Sequence, residues 1–263
     1  MRGDFMERRL FLKALGVGCL GCCCKPIEAF AAIGQKTYST TRLLKDYDQN
    51  IEWRRALYLK NPALADNIDQ VLGEMRDSYE AIIPDIPYLG KRNFHLQWAI
   101  PNAEKLGDYL VAKKYGITIP QFSRLHLDQA LSDLMTTYPT EAERRKIGSM
   151  QFGPMSDMMM RFVAWNSQLR LYPENYILEF VPGDGVDFDW GLNYTQCPNV
   201  ILYSRHGAAD LVYPLICTMD YVAGKALFVG YHRTMDIASG DPMCDLRWKE
   251  GVESVIPDLG FRQ

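Results

Sequence analysis

The stretch Tyr176-Ile-Leu-Glu-Phe-Val181, the turn Pro182-Gly-Asp-Gly185 and the alternating run 187–195 mark where the grammar of this chain changes. Alternating apolar positions, aromatic and β-branched residues and a Pro/Gly/Asp turn are the signals of paired strands. Downstream, helical patterns fit 198–206 and 208–227, with Gly207 between them as a natural helix stop. Two further strands fit 228–236 and 243–249, joined across Ala238-Ser-Gly-Asp-Pro242. The expectation is an α+β chain. A helical N-terminal half precedes a four-stranded antiparallel sheet unit in the order strand-strand-helix-helix-strand-strand, with helices on one face.

Upstream of residue 172 the spacing is helical. Leu43, Leu44, Tyr47 and Ile51 recur at the period of a helix, and Pro62 opens a second helix at its first turn. That helix runs to Ile83 and is stopped by Pro84, and a loop follows to Gly90. Further helices fit 102–116, 120–137 and 140–171, the last kinked at Gly153-Pro154. Met155, Met158, Met159 and Met160 read as gap-filling core on that last helix, with the lining of a ligand pocket as the alternative.

Residues 1–31 read as an export signal. Glu7-Arg-Arg-Leu-Phe-Leu-Lys13 resembles the twin-arginine motif, the apolar stretch 14–24 is too short to remain as a spanning helix, and Ala29-Phe-Ala31 suits cleavage. The expected partner is the twin-arginine export machinery, and the expected location is the periplasm or the cell surface. Cys19, Cys22, Cys23 and Cys24 lie in this segment. They read as inert, or as a lipid anchor at Cys22, rather than as metal ligands. The remainder divides into a helical region, 32–172, and an α+β region, 173–263, expected to form one compact domain. A formal net charge of -3 and 23% charged residues give no electrostatic footprint for nucleic acid.

Beyond the signal, three cysteines remain, Cys197, Cys217 and Cys244, and all lie among polar residues. An odd number cannot all pair, so at least one thiol is free or metal-bound. Cys197 follows a strand and starts a helix, where the dipole and free N–H groups favour thiolate. Cys217 and Asp220 share a helix face. Strand alternation puts Cys244 with Leu246 and Trp248, which also suits plain core, and Asp245 with Arg247. His232 and Thr234 share one face of the preceding strand and Arg233 takes the other, so a hairpin can bring thiol, imidazole and carboxylate together. A zinc site from Cys197, Cys217 and Cys244 with His232 or Asp220 is the metal alternative, at spacings unlike a zinc ribbon. His95 and His126 have no metal-like spacing, and Asp187 and Asp189 read as a solvated strand face.

In order, the motifs are Phe188-Asp-Trp-Gly-Leu-Asn193-Tyr-Thr195-Gln-Cys197, Gly207-Ala-Ala-Asp210, Leu215-Ile-Cys217-Thr-Met-Asp220-Tyr221, Arg233-Thr234, Ala238-Ser-Gly240 and Cys244-Asp245-Leu-Arg247-Trp248. Together they resemble the L-2-amino-thiazoline-4-carboxylic acid hydrolase family. Asp236 stands where that family often has a second threonine, and Leu246 where it often has phenylalanine. The resemblance implies hydrolytic opening of a cyclic isothiourea-like carboxylate to a carbamoylated cysteine. Arg233 or Arg247 suits the substrate carboxylate, with Asn193, Thr195 and Thr234 beside it. Asp220 or Asp245 suits proton transfer, and Cys197 suits direct attack with His232 moving the proton. Cys244 joins the catalytic set. The other reading is a small-molecule-binding domain of the 4-vinyl reductase type, which the α+β unit also resembles and which turns nothing over.

Overall fold

The computed structural model describes residues 37–259; residues 1–31, read from sequence as an export signal, and their cysteines lie outside them. The helical half consists of α1 (Thr40–Asp48), α2 (Ile51–Tyr58), α3 (Pro62–Ala65), α4 (Ile68–Ile82), α5 (Leu96–Ala112), α6 (Ile119–Thr137), α7 (Glu141–Ser149) and α8 (Pro154–Gln168). Local chemistry explains the stops and starts. Ser39, Asn61, Thr118 and Thr140 accept backbone N–H groups at helix entries, the last two in full capping boxes with Gln121 and Glu143. Helix α5 begins at Leu96, one and a half turns before the expected Asn102, and carries Pro101 inside it. The expected helix 140–171 is two helices. The chain leaves α7 at Met150 and re-enters at Pro154 after Gly153, whose φ of 102° is open to glycine at no steric cost. Among the described residues no helix is long and apolar enough to cross a membrane.

The second half runs β1 (Ile177–Pro182), β2 (Trp190–Gln196), α9 (Pro198–Arg205), a 3-10 turn (Ala209–Leu211), a π-helical turn (Val212–Cys217), α10 (Met219–Leu227), β3 (Val229–His232) and β4 (Cys244–Glu250). The four strands form one antiparallel sheet in the order β1-β2-β4-β3. The fold is therefore α+β, helical first and sheet-forming second, as the sequence patterns require. The expected helix 208–227 is broken. Pro214 has no N–H to give, and Thr218 N donates to Tyr213 O five residues back, which opens the helix into a π turn. Strand β2 begins at Trp190 rather than Asp187. The carboxylate of Asp184 accepts the amides of Val186, Asp187 and Phe188 and holds that stretch as a turn. Asp189 is no idle surface residue: it accepts from Lys249 Nζ and Glu250 N.

Two cores matter for the site. The larger joins α1, α2, α4, α5 and α6 to Leu202, Tyr203, Leu211, Val212 and Leu215, so the two halves share one apolar interior across residue 172. Inside it lies a charged network that the sequence reading assigned no role. Asp108 accepts Tyr47 and Tyr58 hydroxyls, both at 2.7 Å, and Arg54 Nε at 3.2 Å. Arg54 also donates to Glu104 at 2.6 Å, and Tyr58 meets His126 Nε2 at 3.2 Å. The second core lies under the sheet, where α8 packs on β1, and includes Leu178, Trp190 and Leu192.

Two helical glycines give opposite expectations. Gly73 in α4 is exposed, and a methyl added there would meet nothing within 4 Å, so Gly73→Ala is expected to stabilise by about 0.5–1 kcal/mol. At Gly148 in α7 the same methyl would come within 2.0 Å of Leu227 O, so Gly148→Ala is expected to cost more than ~2 kcal/mol despite its better helix propensity. Thermal melts of the two variants read both signs; equal shifts would contradict the α7–α10 approach.

Candidate active site

Strand register decides which candidate residues can meet. Across β2 and β4, Tyr194 faces Cys244, Leu192 faces Leu246 and Trp190 faces Trp248; Tyr231 of β3 faces Trp248 from the other side. These residues form the inner, apolar side of the sheet, with Trp190 and Trp248 rings stacked at 4.2 Å. The alternate set, Asn193 opposite Asp245 and His232 opposite Arg247, takes the outer side. The eleven site residues proposed from sequence therefore separate. Cys244 and Arg233 turn inward, towards Cys197, Cys217 and Asp220 of the connecting helices. Asn193, Thr195, His232, Thr234, Asp245 and Arg247 do not join them.

The outer residues have structural work. The Asp245 carboxylate accepts the Thr234 amide at 2.8 Å, the Thr234 hydroxyl at 2.5 Å and the Met235 amide at 2.6 Å, which fixes the β3–β4 connection. Burial pushes that carboxyl up, but these donors outweigh it and hold it below the ordinary carboxylate range. Arg247 donates to Leu246 O and lies over Gly191, where a methyl would meet its Cδ at 2.7 Å; its guanidinium stands 5.2 Å from the Phe188 ring. His232 and Thr195 are exposed. The imidazole expected to move a proton for Cys197 is thus on the wrong side of the sheet.

The inner cluster is compact. Cys197 caps the start of α9, Cys217 ends the π turn, Asp220 lies one turn on in α10, and Arg233 follows β3. The Cys197 thiol is within electrostatic reach of Cys244 and Arg233, and Cys217 of Arg233, Cys197 and Asp236. All three cysteines are free thiols. Burial raises the Cys197 thiol to about 11, against the opposing pull of the Val200 and Asn199 amides. The expectation that the helix start would favour thiolate is therefore overturned, because desolvation exceeds the dipole and amide contribution. Cys217 and Cys244 are raised as well, again first by burial. Cys244 Sγ also accepts the Ile237 amide at 3.3 Å, a packing and loop-holding role.

Arg233 is the centre of charge. Its side chain is 4% exposed, and its Nε and Nη2 have no hydrogen-bond partner among the described residues. Asp236 brings Oδ2 to 3.6 Å from Nη2 while also accepting the Ala238 amide. The Tyr213 ring lies 5.1 Å from the guanidinium carbon. Asp220 is the accessible member. Desolvation nevertheless pushes its carboxyl up to about 6, opposed by the Arg233 charge and the Tyr231 hydroxyl. The carboxyl is thus open to solvent on one side, while the protein packed around it raises the cost of its charge. Two clefts, of about 190 and 400 Å³, are lined by other residues, among them Arg124 and Leu131 in one and Arg145 and Phe228 in the other.

Sequence reading missed the aromatic wall. Tyr194 shares the inner face with Cys244, and its hydroxyl meets His95 Nε2 at 3.2 Å. His95 stacks on Tyr176 at 4.3 Å, and Tyr176 accepts from Asn199 Nδ2 at 3.0 Å. Burial lowers His95 to about 3, so it is a neutral ring. Alternation along β2 and β3 could have found Tyr194 and Tyr231; nothing local marks His95, which is far away in sequence. A zinc ion does not fit. Among the described residues no group of three His, Cys, Asp or Glu side chains is disposed to hold a metal, and His232 is on the opposite face.

Comparison with protein-family models, with curated proteins and with solved structures finds no match.

The raised thiols have a direct readout. Alkylation by iodoacetamide at pH 7, followed residue by residue by mass spectrometry, is expected to modify Cys197 roughly a hundredfold more slowly than an ordinary exposed cysteine, with the rate climbing as pH rises. Fast, pH-independent labelling of Cys197 near neutrality would restore the thiolate.

Proposed function

We propose that the chain is a hydrolase that opens a small cyclic amidine-like ring bearing a carboxylate, of the 2-aminothiazoline-4-carboxylate type, at the Asp220–Arg233–cysteine cluster. The observation that carries this reading is the buried guanidinium of Arg233, whose Nε makes no hydrogen bond and whose Nη2 has the 3.6 Å approach of Asp236, beside the accessible carboxyl of Asp220. A planar, permanently charged fork with spare N–H groups suits a ligand carboxylate. A carboxyl raised to about 6 is half-ionised close to neutral pH, the range in which a general base is effective.

In this reading Arg233 anchors the substrate carboxylate and Asp220 takes a proton from water as its oxygen bonds to the ring carbon between nitrogen and sulfur. The C=N electron pair moves to nitrogen, which takes that proton from Asp220; one of the two ring bonds to the carbon then breaks as the new hydroxyl becomes a carbonyl, and Asp220 passes the hydroxyl proton to the departing nitrogen or sulfur. The neutral thiols of Cys197 and Cys217 line the place of reaction, and Cys197 serves as a weak donor rather than as the attacking group. Export through the twin-arginine machinery, on the Arg8–Arg9 motif, to the periplasm or cell surface belongs to the same proposal.

One observation favours a second reading, a binding domain without turnover: the thiol best placed to attack is raised to about 11, and His232 lies on the opposite face of the sheet. Asp236 leans the same way, since a carboxylate near Arg233 competes with that of a ligand.

The full chain is expected to convert 2-aminothiazoline-4-carboxylate to carbamoylated cysteine, with kcat/KM rising with pH to a plateau above about 6 as Asp220 ionises. Asp220→Asn is expected to lower kcat by at least about a hundredfold, and Arg233→Lys to raise KM about tenfold, with unchanged circular dichroism. If Cys197→Ser abolishes turnover while Asp220→Asn does not, the thiol is the nucleophile after all. Saturable binding with no turnover selects the binding domain. The same carboxyl gives a stability signature of opposite sign: because folding raises it from 3.8, its contribution is complete below about 3.8 and is lost as pH rises through about 6.

A further inference from the structure

Helix α8 is apolar on two opposite sides. Met160, Ala164 and Ser167 are buried, and the first two join the core beneath the sheet. On the other side Met155, Met158, Phe162, Trp165 and Leu169 remain 68, 61, 59, 58 and 47% exposed. The reading of the methionines as core therefore holds for Met160 and fails for Met155 and Met158. The exposed residues follow one another at steps of three, four, three and four, which is the a/d spacing of a helix–helix seam. Leu171, just past the helix end, prolongs the stripe at 62% exposure. Single exposed leucines are ordinary, but a continuous stripe with two aromatics marks a contact surface.

The occupant can be argued from area, symmetry and charge. At these exposures the six side chains leave roughly 700 Å² open, close to the ~800 Å² that each partner contributes to a standard interface. The stripe is also nearly symmetric about Phe162. Met155 and Leu169 lie seven residues to either side, and Met158 and Trp165 four and three. An antiparallel copy of α8, turned about an axis at Phe162, therefore sets apolar residues against apolar residues along the whole seam, the self-complementary arrangement of a two-fold dimer. A lipid surface is disfavoured by charge. Between Met155 and Leu171 the cations are Arg161 and Arg170, and the Arg161 guanidinium is engaged 4.2 Å over the Phe180 ring, so the stripe has little of the basic fringe that binds headgroups.

We propose that the chain forms a homodimer through antiparallel pairing of α8 with the α8 of a second copy, with Phe162 at the two-fold axis. The contact is on the far side of α8 from the sheet and leaves the Asp220–Arg233 cluster untouched.

Sedimentation equilibrium of the full chain tests this. The unsubstituted protein is expected at dimer mass at micromolar concentration. Phe162→Asp and Trp165→Asp are each expected to raise the dimer dissociation constant at least about a hundredfold without changing the circular dichroism spectrum. Val255→Asp, at a residue 83% exposed but off the stripe, is expected to stay dimeric. Phe162→Cys, oxidised with copper-phenanthroline, is expected to give a cross-linked dimer beyond the background of the unsubstituted chain. A monomer at every concentration, or a dimer that survives both aspartate substitutions, overturns the proposal. A monomer that sediments with phosphatidylcholine–phosphatidylglycerol vesicles and loses this with Phe162→Asp overturns it in favour of a lipid surface.

Discussion

The stack of Trp190 on Trp248 holds β4 in one register between β2 and β3, and everything said of the site depends on that register. A slip of one residue would exchange the two faces of β4. Asp245 and Arg247 would turn inward and Cys244 outward. Such a slip is costly because Phe180 and Tyr231 extend the aromatic row on either side, with Phe180 6.4 Å from Trp190 and Tyr231 5.4 Å from Trp248. The same row excludes water from behind Cys244. It therefore both fixes the sheet and helps to bury the Cys244 thiol.

The helical half supplies a second fixed point. Asp108 on α5 gathers Tyr47 of α1 and both Tyr58 and Arg54 of α2 in a place with almost no solvent. Such a network stabilises little relative to an apolar core of equal volume, but removing one member leaves a buried charge unpaired, at about 3–5 kcal/mol. Its value is directional: it fixes how α1 and α2 lie on α5. Helix α5 in turn holds Tyr203 of α9, whose hydroxyl donates to Asn102 O at 2.7 Å. The chain of contacts thus runs from the buried carboxylates to the helix that presents Cys197.

Much of the fold was legible because its signals are local. The turn at Pro182-Gly183, the capping boxes and the two periodicities each lie within a few residues, and the succession of strands and helices along the second half follows from them. The site was only half legible. Alternation correctly parted Cys244 from Asp245 and Arg233 from His232. What alternation cannot weigh is desolvation, which reversed the expected state of Cys197, and it cannot see that Asp245 is already occupied by Thr234 and Met235. Nor does a single sequence tell a helix with one apolar face from one with two. Met155 and Met160 look alike in the chain and differ only in what packs on them.

The π turn at Val212–Cys217 has a geometric consequence of its own. An α-helix that accommodates one extra residue advances the rest of the helix by about 100°. Cys217 and Asp220 lie at or beyond that extra residue, whereas Leu211, Val212 and Leu215 are held in the shared core. The turn therefore works as an angular spacer: loss of one residue there would leave the core anchored and swing Asp220 away from Arg233. Where the carboxylate stands relative to the guanidinium is set by how many residues the turn contains.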